Sequence, residues 1–285
     1  MKKTVFVVAI ILVFLTGLTI LLYPYVSGYI NNIRQSRVVA SYHSGIETLS
    51  ENDIAQQLDA AREYNIALQR KSNRFILSDE EMEEYLELLN PLGNGVMGTL
   101  AIDKINVNLP IYHGTNEGVL RVGAGHLEGT SLPVGGIGTH SVITGHRGLP
   151  SSILLTELDK MEVGDTFVLH VLSESLTYIV DQIIVVEPHE MDALAIEGDK
   201  DYCTLVTCTP YGINSHRMLV RGQRYIEDNE AVEEVTTTAQ PQVQGDASSI
   251  NSILVSAVIV APVLVIVAVV FSIRVVKLHG RRRMR

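Results

Sequence analysis

Hydrophobic residues are concentrated in two long runs near the ends of the chain, at residues 5–22 and 253–273. The runs are 18 and 21 residues long, and neither contains a charged side chain. A helix needs about 20 predominantly apolar residues to cross the hydrocarbon core of a bilayer. The pattern therefore predicts two transmembrane helices, one near each end of the 285-residue chain.

Basic residues flank both apolar runs on the side of the chain ends. Lys2 and Lys3 precede the first run, whereas Arg274, Lys277 and the arginines at 281–283 follow the second. By the positive-inside rule, both termini are cytoplasmic and the chain between the runs lies outside the cell membrane. Two alternatives stay open. The first run has a cleaved signal peptide as its alternative, although it is longer than the usual apolar region of such peptides, and the second has a buried core helix.

The chain between the runs changes from helical to strand-like periodicity. Residues 34–72 place apolar side chains at helical spacing, which predicts one or two amphipathic helices. A short acidic helix is predicted at 79–89, with Ser78 as its N-cap. Beyond residue 95, short apolar stretches alternate with turn residues, as in a closed β-barrel or a sandwich. The predicted strands are 99–102, 107–112, 141–145, 166–170, 176–186, 202–207 and 218–224.

These patterns divide the chain into consecutive parts with different compositions. The parts are the cytoplasmic start with the first span (1–33), a helical appendage (34–92), a strand-rich domain (93–225), a polar linker (226–249), the second span (250–276) and a basic cytoplasmic tail (277–285).

Composition and charge narrow the function classes. Acidic residues outnumber basic ones, 32 to 22, and all of the acidic ones lie between residues 34 and 249. Such an acidic body is a poor nucleic-acid binder, because that affinity comes mainly from Lys and Arg. The sequence has no Gly-rich phosphate loop and no cysteines at metal-finger spacing, so it implies no cofactor and no metal.

The chain has two cysteines, Cys203 and Cys208, in a segment that is predicted to be a strand. Strand side chains alternate between faces, so a separation of five residues directs the two thiols to opposite sides. Their Cα atoms would be about 16 Å apart, whereas a disulfide requires less than about 7 Å. We therefore expect two free thiols, Cys208 as a reactive one and Cys203 as a small buried apolar residue.

A reactive thiol needs a partner that stabilises the thiolate and a donor for the developing oxyanion. Arg217 ends the turn-rich connection that leads from Cys208 into the predicted strand 218–224, and it is the candidate donor. Of nine histidines, His146 is the candidate acid or base, because it follows a predicted strand directly into a loop. The alternatives to His146 are His126, His140 and His216. A thiol oxidoreductase is disfavoured, since there is no Cys-X-X-Cys motif.

The same residues carry a family resemblance. Residues 204–208 read Thr-Leu-Val-Thr-Cys, Arg217 follows them, and Thr-Gly-His-Arg-Gly stands upstream at 144–148. This combination resembles the sortase family, and the wider sequence from about 40 to 225 resembles the pilus-building class C sortases. The resemblance implies an eight-stranded sortase-type β-barrel with N-terminal helices. It also implies Cys208 as nucleophile, His146 as acid/base and Arg217 as transition-state stabiliser.

The resemblance further implies a reaction and its partners. A class C sortase of Gram-positive bacteria would cleave a Leu-Pro-X-Thr-Gly-type sorting signal after Thr, form a thioester on Cys208 and transfer it to a pilin lysine. The partners would be pilin or surface-protein substrates and the membrane. A housekeeping-type sortase, which joins proteins to the peptidoglycan precursor, is the first alternative. A non-catalytic two-span binding or adhesion module is the second.

One segment departs from the class C pattern. Members commonly cover the site with a lid that carries Asp-Pro and an aromatic residue, but residues 71–79 read Lys-Ser-Asn-Arg-Phe-Ile-Leu-Ser-Asp. Phe75 is the candidate aromatic plug of a lid at 71–79. An open site, and a loop in which Phe75 only packs against its surroundings, are the alternatives.

Overall fold

The computed structural model describes residues 2–149 and 152–226. These residues form four α-helices, eight strands and three short 3₁₀ helices. The α-helices are α1 (Lys2–Ile46), α2 (Glu51–Gln69), α3 (Asp79–Glu87) and α4 (Glu117–Leu120). The strands are β1 (Val96–Ile102), β2 (Val107–His113), β3 (Ala124–His126), β4 (Thr139–Thr144), β5 (Thr166–Val171), β6 (Glu174–Val186), β7 (Asp201–Thr209) and β8 (His216–Arg224).

The chain divides into two compact units, with the boundary in α1 between Tyr23 and Pro24. The described part of the first unit is the apolar beginning of α1. Within the part of the chain that the structure describes, α1 is the one helix long and apolar enough to cross a membrane, with a mean hydropathy of 3.0 over its best window. The second predicted span, the basic tail and nearly all of the predicted linker lie outside the described residues.

The second unit contains a closed eight-stranded barrel, in the order β1-β2-β3-β4-β7-β8-β6-β5. This confirms the predicted barrel and decides against a sandwich. Neighbouring strands are antiparallel except for the pairs β2–β3 and β4–β7, which are parallel. Seven strands had been predicted, whereas β3 had not, because three residues are too few to show an alternating pattern.

The barrel interior is filled by side chains from alternate strand positions. Leu100, Ile111, Phe167, Leu205 and Val220 are fully or almost fully buried there. Packing of this kind stabilises the fold by roughly 1.5–3 kcal/mol for each large apolar side chain removed from water. The barrel is therefore a solid core, and any substrate must bind on its outside.

The helices of the second unit are attached to the barrel by buried polar contacts. The Tyr42 hydroxyl on α1 donates to the Met97 carbonyl at 2.9 Å and accepts from the Leu172 amide at 2.8 Å. On α2, the Asn65 side chain forms two hydrogen bonds with the backbone of Leu132. The N-cap predicted for α3 is confirmed, since Ser78 and Glu81 form a reciprocal capping box.

Candidate active site

The two cysteines lie on opposite faces of β7, as expected. Cys203 is fully buried in the barrel core together with Leu205, whereas Cys208 is half-buried on the outer face. Both thiols are free. Burial, and then the charge of Asp201, raise the pKa of the Cys203 thiol well above its usual range. Cys203 is therefore held as an inert thiol, and Cys208 is the cysteine that solvent reaches.

Strand pairing places Arg217 beside Cys208. In the antiparallel β7–β8 ladder the two residues are direct partners, so their side chains project from the same face. The Arg217 guanidinium donates to the carbonyls of Asn214 and His216, at 3.3 and 3.1 Å. These two contacts tie the guanidinium to the β7–β8 turn and leave other N–H donors for a ligand.

His146 reaches the same place from β4. The parallel β4–β7 ladder ends with Thr144 opposite Val206, and two further bonds extend the contact, from the Gly145 amide to Val206 and from the Thr207 hydroxyl to Gly145. His146 follows directly after this contact, two residues beyond the end of β4, and Cys208 lies two residues beyond Val206 on β7. The three residues predicted from sequence thus lie at neighbouring strand ends.

A carboxylate stands beside the imidazole. His146 Nε2 is 3.3 Å from Glu117 Oε2, in the short helix α4 between β2 and β3. The pKa of Glu117 is lowered by its hydrogen bond to Arg121 first and by that to His146 second. The sequence had not indicated Glu117, because it lies 29 residues from His146 and belongs to no motif.

The alternative histidines have other partners. His126 is fully buried, with its two ring nitrogens bonded to the Tyr85 hydroxyl and the Ser131 carbonyl. His140 is bonded in the same way to the Ala195 carbonyl and the Thr204 hydroxyl. Burial lowers the pKa of both imidazoles to about 4. His216 lies on β8 beside Glu187.

An apolar groove runs along the outer face of the barrel and reaches Arg217. Its volume is about 250 Å³, and the loop between β6 and β7 forms one wall. Val142, Leu194 and Leu219 form a small buried cluster there, separate from the barrel core. Arg217 also lines the groove, which therefore combines an apolar floor with a cation near one end.

Arg147, next to His146, is an almost buried cation that the sequence did not single out. It forms an ion pair with Asp159, donates to the Thr209 hydroxyl at 3.3 Å and lies 6.0 Å from the Tyr211 ring. It therefore connects the chain after β4, which carries His146, with the end of β7, which carries Cys208.

In the candidate lid segment 71–79, residues 71–78 form an irregular loop with Phe75 half-buried, and Asp79 begins α3. Arg74 donates to the Leu194 carbonyl at 2.6 Å and to the Gly129 carbonyl at 3.4 Å, and its guanidinium lies 4.6 Å from the Phe75 ring. Leu194 precedes Ala195, whose carbonyl bonds His140 and thereby lies near Thr204. Thr204 is four strand residues, or about 13 Å, from Cys208.

The chain is similar to known proteins in both sequence and structure. The protein-family model for the sortase domain matches residues 100–225. The structure resembles sortase C1 from Streptococcus agalactiae, with 46% identity, a TM-score of 0.64 and coverage of 67% of this chain and 100% of that one. It also resembles sortase C from Streptococcus pneumoniae, with 41% identity, a TM-score of 0.60 and coverage of 67% and 97%.

Curated relatives are more distant. Sortase D of Bacillus subtilis is 28% identical over 45% of this chain, and the match spans 63% of that relative. Sortase A of Streptococcus agalactiae is 27% identical over 59% of this chain and 66% of its own length.

An eight-stranded barrel with a thiol, an imidazole and a guanidinium at adjacent strand ends is the arrangement of a cysteine-dependent acyl-transfer site. The chain belongs to the sortase family, whose members are cysteine transpeptidases. Its structural neighbours are class C sortases.

Proposed function

We propose that this chain is a membrane-anchored, extracellular cysteine transpeptidase that cleaves a sorting signal of Leu-Pro-X-Thr-Gly type and joins it to a pilin lysine. The observation that carries the proposal is the strand register. The pairing of the half-buried Cys208 with Arg217 supports the proposal, as does the position of His146 just after β4, the strand that pairs with β7. Arg217 also lines the apolar groove.

In this mechanism the Cys208 thiolate attacks the carbonyl carbon of the Thr residue. Arg217 stabilises the oxyanion of the tetrahedral intermediate. His146 gives a proton to the leaving amine of Gly as the C–N bond breaks, and a thioester on Cys208 remains. An acceptor amine then attacks the thioester and loses a proton to His146, which releases the Cys208 thiolate with the new amide bond formed.

The groove supports a substrate with an apolar segment before the cleaved bond. Its floor of Val142, Val206 and Leu219 offers dispersion contacts to a Leu-Pro pair, and burial of such side chains favours binding. Glu117 supports the role assigned to His146, because its carboxylate lies 3.3 Å from Nε2 and can orient the imidazole ring.

The acceptor separates two candidate functions. A pilin lysine is supported by the class C structural neighbours, one of which is described in terms of pilin substrate specificity. Anchoring to a peptidoglycan precursor is supported by curated relatives that are named sortase A. A high-mass covalent ladder of pilin subunits would identify the first function, whereas a single wall-linked species would identify the second.

Anchoring is part of the proposal. The apolar beginning of α1 would hold the barrel at the outer surface of the membrane, with a second span at 250–276 and both termini in the cytoplasm. A substrate with its own apolar tail would be confined to the same surface, which raises the effective concentration of the two proteins.

The test is to trap the thioester. The detergent-solubilised chain is incubated with a Leu-Pro-X-Thr-Gly peptide and analysed by mass spectrometry after rapid acid quenching. We expect the acyl adduct on the proteolytic fragment that carries Cys208, and the same adduct in the Cys203→Ala variant. An adduct mapped elsewhere, or none with any sorting-signal peptide, would contradict the proposal.

A further inference from the structure

A second surface feature lies beside the site, where the early part of α1 packs against the loop after β4 and the β7–β8 turn. A groove of about 370 Å³ separates these three segments. Its lining includes Tyr25, Tyr29, Gly148, Ser152, Ile153 and Tyr211. A buried hydrogen bond of 3.0 Å from Gln35 to Ser152 fixes the helix to the loop. We call this surface the tyrosine face.

Large apolar side chains of the tyrosine face point into solvent. Tyr25, Ile153 and Tyr211 are 75, 63 and 61% exposed, and Ile213, two residues after Tyr211, is 71% exposed. Contiguous exposed apolar surface of this kind marks an interaction site on a folded protein. The face is not part of the catalytic groove, which lies along the outer surface of β4, β7 and β8.

The segments that build the tyrosine face carry no charge. Residues 24–33, 148–156 and 210–215 contain no Asp, Glu, Lys or Arg, although these types make up 19% of the chain. The next charged side chains along α1 are Arg34 and Arg37, and both are exposed. A tyrosine-rich, uncharged surface bordered by arginines matches the region of a bilayer where headgroups meet acyl chains.

Chain connectivity supplies the second argument. The apolar run of α1 ends at Leu22, and Tyr25 follows it by three residues, so the two lie within about 11 Å of each other. If the run spans the membrane, Tyr25 must lie in or just above the headgroup layer. The loops held against this part of the helix, with Ile153 and Tyr211, are then brought to the same layer.

We propose that the tyrosine face binds the lipid surface, so that the end of the barrel bearing Cys208 and His146 opens at the headgroup layer. Gly148 and Tyr211 belong to the face and lie two and three residues from His146 and Cys208. A sorting signal that emerges from the membrane would then meet the site directly. This inference rests on the proposed anchoring and cleavage.

Single-tryptophan quenching tests it, because the chain contains no Trp. Tyr211→Trp is reconstituted as the full chain in phosphatidylcholine–phosphatidylglycerol vesicles, with or without lipid brominated near the headgroup end of its acyl chains. The control is Ile137→Trp, which is 78% exposed and precedes β4 at the Asp201 end of β7. We expect brominated lipid to lower the Tyr211→Trp emission at least about twofold and to leave the control unchanged.

Equal emission changes in the two variants would overturn the inference. So would a Tyr211→Trp emission that brominated lipid does not quench and that shifts to shorter wavelength only when a membrane-embedded substrate is added, because the face would then bind protein. Neither readout requires catalysis. A chain that forms no thioester therefore refutes the proposed function, while the quenching still decides the orientation.

A charge variant adds a functional readout. Ile153→Glu places a carboxylate on the tyrosine face, and Ile137→Glu is the matched control. We expect both to cleave a soluble sorting-signal peptide like the unaltered chain, whereas Ile153→Glu processes a vesicle-embedded substrate about tenfold more slowly. Equal rates on the embedded substrate for the two variants would count against lipid contact at Ile153.

Discussion

The site and the rest of the barrel contain the same reactive residue types in opposite environments. At the site, Cys208, His146 and Arg217 are partly exposed at strand ends and have few bonding partners. Elsewhere in the barrel, Cys203 is the counterpart of Cys208, His140 that of His146 and Arg221 that of Arg217. Cys203 is enclosed by the core, His140 has both ring nitrogens bonded, and Arg221 forms a two-contact ion pair with Asp181.

The difference shows that environment, and not residue type, assigns the chemistry. A thiol that neither water nor a cation reaches keeps its proton. An imidazole whose two nitrogens are both held by fixed hydrogen-bond partners cannot exchange a proton with a substrate. A guanidinium held by a carboxylate is already neutralised. Each pair in the comparison can therefore be tested by making the same substitution in both members.

The cysteine pair should show the largest contrast. Cys208→Ala removes the attacking sulfur, so acyl-enzyme formation with a sorting-signal peptide should be abolished. Cys203→Ala removes only a buried small side chain, so most of the activity should remain, with a modest loss of stability. Mass spectrometry of the acyl adduct and a thermal melt measure the two effects. Comparable loss of adduct in both variants would contradict the assignment of faces.

The next contrast concerns the imidazole and the guanidinium. His146→Ala and Arg217→Ala should each lower turnover by about 10² to 10⁴, as expected for an acid/base and an oxyanion donor. Arg221→Ala should lower it far less, since Arg221 bonds Asp181 and covers the Tyr202 ring. Circular dichroism of each variant is the folding control. Full activity of His146→Ala would move the acid/base role to another histidine.

The same comparison of histidines predicts a pH dependence of stability. The folded-state pKa values of His126 and His140 are about 4, below the unfolded value of 6.5. The unfolded chain therefore binds more protons between these pH values, and the free energy of unfolding falls as the pH falls from 6.5 towards 4. At pH 5 the loss is about 2 kcal/mol for each histidine relative to neutral pH.

Urea denaturation of the detergent-solubilised chain at pH 7.5 and pH 5 measures this loss. Stability that is equal at the two pH values would show that the buried imidazoles are not held neutral.

Much of the fold followed from local patterns, whereas the details of the site did not. The opposite faces of Cys203 and Cys208 follow from strand alternation alone, and the cap at Ser78 follows from local hydrogen bonding. Contacts between residues that are far apart in the sequence could not be predicted, because they leave no local pattern. Arg147 bonds Thr209, 62 residues away, and Glu117 contacts His146 across 29 residues. Their burial and pairing exist only once the barrel has closed.

The smallest expected effect concerns the candidate lid at 71–79 and the extent to which it covers Cys208. Arg74 bonds Leu194 and Gly129, near the level of Thr204 and about 13 Å along β7 from Cys208. Gly129 has a φ of +78°, and any side chain there would collide with the Arg74 carbonyl, so the loop is fitted closely against this part of the barrel. A lid held at this end covers Cys208 incompletely.

We therefore expect Phe75→Ala to speed alkylation of Cys208 by a small thiol reagent by less than about threefold, since access limits the rate only in part. Ile76→Ala is the matched control, because Ile76 is 69% exposed and should have no effect. Arg74→Ala, which removes the two bonds that hold the loop, should accelerate labelling more than Phe75→Ala. A tenfold or larger acceleration in Phe75→Ala would show that its ring covers Cys208 directly. Unchanged rates in both Phe75→Ala and Arg74→Ala would show that the site is open, because neither the ring nor the loop that carries it would then limit access to the thiol.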